Sequence, residues 1–113
     1  MKIKHYNKLI RDKIPEIIKN NNQISQTKIL NKSEFIEALF KKLAEEVKEI
    51  IEAKGDKKEL KKEISDAYEV IDAIIKFYNL NKNSIITLQN KRKREKGAFK
   101  KQLFLLSVRE KGA

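Results

Sequence analysis

The sequence predicts an all-α fold, an antiparallel four-helix bundle in one domain spanning residues 1–113. Two apolar stripes at helical spacing, within residues 36–51 and 60–78, carry this prediction. Capping residues and glycines mark two further helical segments, one on each side of these stripes. Because 113 residues can bury enough surface for one compact core, we expect a single domain.

The composition excludes several classes of protein. The chain has no cysteine, which rules out disulfides, thiolate catalysis and thiolate metal sites, so a metal must be bound by oxygen or by His5. No stretch approaches the roughly 18 uninterrupted apolar residues of a membrane span or resembles a signal peptide. We therefore expect a soluble, cytoplasmic protein that does not bind membranes. The formal net charge of +11 predicts attraction to polyanions without specifying their class.

The first helix is predicted within "KIPEIIKNNN", residues 13–22. Asp12 can cap it, and Pro15 is tolerated in a first turn, where its missing N–H has no partner. The asparagines at 20–22 are expected to end it. "TKIL", residues 27–30, is too short for a helix and predicts a brief strand before the next cap, Asn31 or Ser33.

Two long helices are predicted next, joined by a short connector. The apolar positions of the first are Ile36, Leu39, Phe40, Leu43, Val47, Ile50 and Ile51. Those of the second are Leu60, Ile64, Ala67, Ile71, Ile74 and Tyr78. Gly55 stops the first helix, and Asp56 with Glu59 can cap the second. A connector this short makes the two helices antiparallel neighbours.

A fourth helix is predicted from near Ser84 to Gly97, a natural C-cap after a basic last turn. The tail "KQLFLLSVRE" is rich enough in large apolar residues to form a strand. We expect a minor β-hairpin that pairs residues near 27–30 with residues 102–108.

Four carboxylates occupy unusual positions on the two long helices. Glu46 and Glu49 share one face of the first, beside its apolar residues. Glu63 falls inside the apolar stripe of the second, and Asp66 lies on its flank. Burying an unpaired carboxylate is costly, and carboxylates from facing helices can surround a hard cation such as Mg²⁺ or Mn²⁺.

The alternative is that these acids are solvated and pair with lysines at positions 48, 61 and 62. For Glu45, Glu52 and Glu59 this interpretation is favoured, since such pairs are common on surface helices. For Glu63 it fails, because the helical wheel places that residue inward. For Glu46, Glu49 and Asp66 the spacing alone leaves both interpretations open.

The acidic segments resemble a known family. "EEVKE" at 45–49 followed by "EISD" at 63–66 resembles the EExxE and ExxD signature of the all-α MazG-like nucleotide pyrophosphohydrolases, a superfamily that includes phosphoribosyl-ATP pyrophosphohydrolase. "YNKLIRDKIPEII" and "KRKREKGAFKKQLFL" resemble the two ends of a small subgroup of that superfamily. The resemblance covers nearly the whole chain and departs from the subgroup at Ala98, where a second glycine is usual.

The resemblance implies that Glu46, Glu49, Glu63 and Asp66 are catalytic residues that coordinate Mg²⁺, for which Mn²⁺ can substitute. Glu45, the leading glutamate of the motif, is implied to be a fifth catalytic residue that supports these ligands without coordinating the metal. The implied reaction hydrolyses a nucleoside triphosphate between its α and β phosphorus atoms and releases pyrophosphate and a nucleoside monophosphate. Noncanonical nucleotides are the expected substrates, with phosphoribosyl-ATP as the alternative.

Basic residues near both ends of the chain are candidates for binding the substrate phosphates. Arg11 can grip phosphate oxygens with two N–H groups, and Lys8 lies close to it in sequence. Pairing of Arg11 with Asp12 or Glu16 is an equally good interpretation. The resemblance favours a second phosphate contact from the basic turn before Gly97, that is, from Lys93, Arg94 and Lys96.

The resemblance also implies a homodimer or homotetramer in which a partner subunit completes the pocket. Glu69 and Asp72 are first expected to be salt-bridging surface residues, and such a partner would bring them into the site. The hypothesis from another class is a small basic, helical protein that binds nucleic acid. It is not favoured, because the sequence contains neither interleaved aromatic residues nor a helix-turn-helix pattern.

Overall fold

The computed structural model describes residues 2–112, which form four α-helices joined by irregular segments and contain no strand. The helices are α1 (Ile14–Asn20), α2 (Lys32–Glu52), α3 (Lys57–Phe77) and α4 (Lys82–Lys96). The chain divides into two compact units, one ending at Leu80 and the other beginning at Asn81. The all-α class is therefore confirmed, whereas packing of all four helices into a single bundle stays a prediction.

Helix α1 is short, and its N-cap lies one residue after the predicted cap. Its N-cap is Lys13, whose side chain makes no capping hydrogen bond, so the prediction that Asp12 caps this helix is wrong. A turn in which the Ile14 N–H donates to the Arg11 carbonyl precedes the helix and places Asp12 outside the N-cap position. Pro15 lies in the first turn, as predicted, and the helix ends at Asn20.

Helix α2 begins with a reciprocal capping box. The Asn31 side chain accepts a hydrogen bond from the Glu34 N–H, and the Glu34 carboxylate accepts one from the Asn31 N–H. At its other end, Gly55 adopts φ +92°, a left-handed conformation that glycine reaches without strain. Asp56 then caps α3 by accepting from the Glu59 N–H, as predicted.

Helices α2 and α3 form an antiparallel hairpin that contains the core of the first unit. The start of α2 meets the end of α3, where the rings of Phe35 and Phe77 pack edge to face with centroids 6.0 Å apart. The buried apolar residues of the described chain all belong to this hairpin and are Leu39, Ala53, Ala67 and Val70. Large apolar side chains remain exposed on its outer faces, including the predicted stripe members Ile71 and Tyr78.

Helix α4 is the one helix among the described residues of the second unit. Asn81 caps it by accepting from the Ser84 N–H, so the helix begins slightly before the predicted Ser84. Gly97 ends it with φ +83°, as predicted. Every residue from 81 to 112 is exposed within the chain.

The predicted β-hairpin is wrong, since neither residues 27–30 nor residues 102–108 form a strand. Ile29 is fully exposed, and the side chains of Leu103 and Phe104 are more than four-fifths exposed. A two-stranded ribbon is marginal in water without a buried face, and neither segment buries one. Across residues 2–112, no helix combines the length and apolar character needed to cross a membrane.

Candidate metal centre

Two glutamates are buried against each other inside the α2–α3 hairpin. Glu46 of α2 and Glu63 of α3 are 4% and 5% exposed, comparable to the apolar core residues. Each belongs to the inward face of an amphipathic helix, so the packing that buries the apolar stripe also buries the carboxylate. Asp66 lies one turn beyond Glu63 on α3. Glu46, Glu63 and Asp66 each place one carboxylate oxygen within 4.8 Å of the others.

The buried glutamates are incompletely satisfied. Glu46 Oε2 and Glu63 Oε2 are inaccessible to solvent and accept no N–H or hydroxyl hydrogen bond from residues 2–112. The other Glu63 oxygen lies 3.3 Å from Lys62 Nζ, a largely exposed ammonium group. Because proteins rarely leave buried carboxylate oxygens unpaired, a bound cation or a proton would stabilise the cluster.

Glu49 adds a fourth carboxyl group at the margin of this cluster. It lies one turn beyond Glu46 and is exposed. A hydrogen bond with Glu63, burial and the charge of Glu46 together raise the pKa of Glu49 to about 7. The same hydrogen bond lowers the pKa of Glu63, whereas burial followed by the charge of Asp66 raises the pKa of Glu46. The carboxyl group of Glu49 therefore titrates near neutral pH.

An arginine from the N-terminal segment pairs with the third carboxylate of the cluster. Arg11 Nη2 donates a hydrogen bond of 2.9 Å to Asp66 Oδ1. The two residues are 55 positions apart, so the tertiary fold, not local helix spacing, brings them together. The sequence offered two interpretations of Arg11, contact with phosphate or pairing with Asp12 or Glu16. The structure instead shows Arg11 paired with a carboxylate of the acidic cluster.

Beside the cluster, the N-terminal segment and α2 enclose an open groove of about 310 Å³. Its lining residues are Tyr6, Lys8, Glu45, Lys48, Glu49 and Glu52. The Lys4 and Lys8 ammonium groups lie 5.0 and 5.4 Å from the centre of the Tyr6 ring. An exposed aromatic ring, lysine ammonium groups and the carboxyl group of Glu49 therefore all line this groove.

The other predicted site residues have different surroundings. Glu45 lies 3.8 Å from Lys42 and lines the groove instead of the cluster. Glu69 is exposed, and Asp72 is half-buried on α3. The three basic candidates of the last turn of α4, all exposed, belong to the second unit: Lys93, Arg94 and Lys96.

Sequence reasoning found the carboxylates but missed two contacts. Helical periodicity placed Glu63 inward, and the structure confirms that position. The pairing of Arg11 with Asp66 and the approach of Tyr6 to α2 both bring distant parts of the chain together. No local pattern in a single sequence predicts such contacts, although Arg11 was recognisable as a phosphate-binding residue type.

The residues present fit a hard divalent cation. Mg²⁺ binds oxygen ligands at about 2.1 Å, so two ligands on opposite sides of the ion lie about 4.2 Å apart. The 4.8 Å spread of the three carboxylate oxygens is close to that distance, and small side-chain rotations would close it. A bound cation would also satisfy the unpartnered oxygens of Glu46 and Glu63.

No family model matches this chain, and searches of curated proteins and of solved structures likewise return no match.

Proposed function

We propose that this protein is a Mg²⁺-dependent nucleotide pyrophosphohydrolase. It would cleave a nucleoside triphosphate between the α and β phosphorus atoms and release a nucleoside monophosphate and pyrophosphate. The observation that carries the proposal is the pair of buried glutamates, Glu46 and Glu63, each with an unpartnered oxygen beside Asp66. The choice of reaction rests on the resemblance of residues 45–49 and 63–66 to the MazG-like signature.

Each residue near the cluster has a separate role in this proposal. Glu46, Glu63 and Asp66 hold the cation, which when bound neutralises phosphate charge and acidifies a water molecule. Glu49 is exposed at the margin of the cluster and accepts the proton of the attacking water. Arg11 and Lys8 bind phosphate oxygens.

The direct test is incubation of the protein with a panel of ribo- and deoxynucleoside triphosphates, with Mg²⁺, with Mn²⁺ or with EDTA. Products are resolved so that pyrophosphate is distinguished from orthophosphate and monophosphate from diphosphate. We expect metal-dependent pyrophosphate release, with noncanonical nucleotides hydrolysed fastest, as in a cytoplasmic house-cleaning enzyme. Phosphoribosyl-ATP is tested next if the panel is inert.

Substitution of one buried glutamate separates a catalytic centre from contaminating activity. Glu63→Gln keeps the size of the side chain and removes a ligand charge, so we expect turnover to be lost with helicity retained. Glu37→Gln, an exposed glutamate on α2, is the matched control and should keep wild-type turnover. Wild-type turnover in Glu63→Gln would refute the assignment of the centre.

We also propose that the protein self-associates, as the resemblance implies. Support comes from large apolar side chains that the hairpin leaves exposed, among them Ile51 and Tyr68, which are 60% and 66% exposed. An open apolar groove of about 410 Å³ lies beside Tyr68 on α3. Light scattering coupled to gel filtration should give a dimer or tetramer, and a monomer at high protein concentration would contradict this proposal.

A specific observation supports nucleic-acid binding as a second candidate function. Residues 81–112 contain ten Lys or Arg residues and only two Glu, and all of them are exposed within the chain. Such a unit should attract a polyanion, with affinity that falls steeply as salt increases. A salt titration with duplex DNA and with RNA tests this candidate, and binding that disappears at physiological salt would remove it.

A further inference from the structure

Arg11 forms an ion pair with Asp66, a carboxylate that the proposed cation would also bind. Its guanidinium donates to Asp66 Oδ1 at 2.9 Å, and Asp66 is one of the three residues whose oxygens converge. We propose that a divalent cation displaces Arg11 from Asp66 and that the released guanidinium then binds the phosphates of the nucleotide. This inference deepens the function proposed above and rests on its metal centre.

Charge makes the two cations competitors for Asp66. The converging carboxylate oxygens lie within 4.8 Å of one another, so an ion held by all three would stand close to the guanidinium. A divalent cation and an arginine repel each other at such short range, and both are attracted to the same carboxylate. Binding of either cation to Asp66 therefore weakens the binding of the other.

Release of Arg11 requires little rearrangement. The Arg11 side chain is 57% exposed and that of Asp66 is 30% exposed, and ion pairs near the surface contribute little to stability. Leu9 and Ile10, the residues before Arg11, are half-buried and anchor the segment. The guanidinium can consequently leave Asp66 by rotation of its own side chain while the backbone stays in place.

A nucleotide would offer the displaced arginine a new partner. Phosphates bound to a cation at the cluster would be close to a guanidinium that was previously in contact with Asp66. The planar arginine head group matches two phosphate oxygens, as it does two carboxylate oxygens. Lys8 in the adjoining groove would act on the same phosphate chain. The exchange would thus make phosphate binding depend on prior loading of the metal.

The first test measures metal affinity without any nucleotide. Free Mn²⁺ is followed by electron paramagnetic resonance during titration of the full-length wild-type protein, Arg11→Gln, Arg11→Lys and Lys13→Gln. Lys13→Gln is the matched control, since it removes one exposed positive charge two residues away. We expect Arg11→Gln to bind Mn²⁺ several-fold more tightly than both the wild type and the control, and Arg11→Lys to remain near the wild type.

The second test measures phosphate affinity with inorganic tripolyphosphate as the probe. Calorimetric titrations use the same excess of Mg²⁺ in both solutions, and we expect Arg11→Gln to bind tripolyphosphate several-fold more weakly than Lys13→Gln. As a direct readout, the Arg11 side-chain N–H signal in a nitrogen–proton correlation spectrum should shift when Mg²⁺ is added alone. A merely structural arginine would not produce opposite changes in the two affinities.

Each contrary result overturns a defined part of the inference. Weaker Mn²⁺ binding by Arg11→Gln would mean that Arg11 orders Asp66 for the metal, and equality with Lys13→Gln would reduce its effect to general charge; either result overturns the exchange. Unchanged tripolyphosphate affinity would overturn the phosphate step. If the wild type binds no Mn²⁺, both the inference and the proposed metal centre are wrong. If both affinities change as expected but no nucleotide is hydrolysed, the exchange stands and only the proposed reaction fails.

Discussion

The buried glutamates predict that one conservative substitution stabilises the metal-free protein. Glu46 is 4% exposed, and the charges of Asp66 and Glu63 lie nearby, so its ionised form is disfavoured. Two like charges 4.8 Å apart repel by about 3.5 kcal/mol at an effective dielectric constant of about 20. Glu46→Gln removes this repulsion while keeping the size and shape of the side chain.

The net gain is smaller than the repulsion, because the amide that replaces the carboxylate is itself buried. Allowing for that cost, we expect Glu46→Gln to raise the free energy of unfolding by about 1–2 kcal/mol. For a chain of this length, that corresponds to a rise of about 4–8 °C in melting temperature. The magnitude applies in EDTA, where no metal is bound, and it becomes smaller as pH falls and protonation removes the repulsion.

Bound metal should make the wild type more stable than Glu46→Gln, the reverse of the order expected in EDTA. A divalent ion at 100 times its dissociation constant stabilises the wild type by about 2.7 kcal/mol, and Glu46→Gln should lose most of that gain. Thermal unfolding followed by circular dichroism, with EDTA and with Mg²⁺, measures both effects, with Glu37→Gln as the exposed control on the same helix. A melting temperature of Glu46→Gln in EDTA at or below that of the control would refute the reasoning, as would undiminished stabilisation of this variant by Mg²⁺.

Three further predictions concern other parts of the first unit. The pKa of Glu49, raised from 4.5 to about 7, gives stability that is present at low pH and lost as pH rises through 7; in EDTA the melting temperature of the wild type should therefore fall relative to that of Glu49→Gln, whose amide does not titrate, and a constant difference would contradict it. Tyr6→Leu should raise KM for the nucleotide through loss of stacking, whereas Tyr68→Leu, an equally exposed ring on α3, should not; equal KM values for these two variants would remove Tyr6 from the site. Asn31→Ala should lower the free energy of unfolding, measured in urea, by about 1 kcal/mol because α2 loses its cap; an unfolding free energy equal to that of Asn83→Ala would argue against the capping box.

Local rules predicted the helices well because caps and periodicity act over a few residues. Asn31, Asp56 and Gly97 were all recognisable from side-chain chemistry or backbone freedom alone. Asp12 failed as a cap because the structure has a turn before α1 that shifts the helix start by one residue. The β-hairpin failed because apolar composition does not show whether a segment has anything to pack against.

The candidate site was predictable only in part. Periodicity placed Glu63 inward because its neighbours at helical spacing are apolar, and it placed Glu46 beside similar residues. Which carboxylates converge depends on the axial register of α2 against α3, which the sequence does not specify. The contact between Arg11 and Asp66 depends on the path of the N-terminal segment, and no periodic pattern describes that path.

The short connector between α2 and α3 has a kinetic consequence. Glu46, Glu63 and Asp66 all lie within residues 46–66, so closure of one small loop brings them together. Contacts of such low sequence separation form early in folding, and helical hairpins are among the fastest elements to assemble. During synthesis the complete set of carboxylates is made before residues 81–112. Assembly of the cluster therefore needs no residue of the basic unit that follows it.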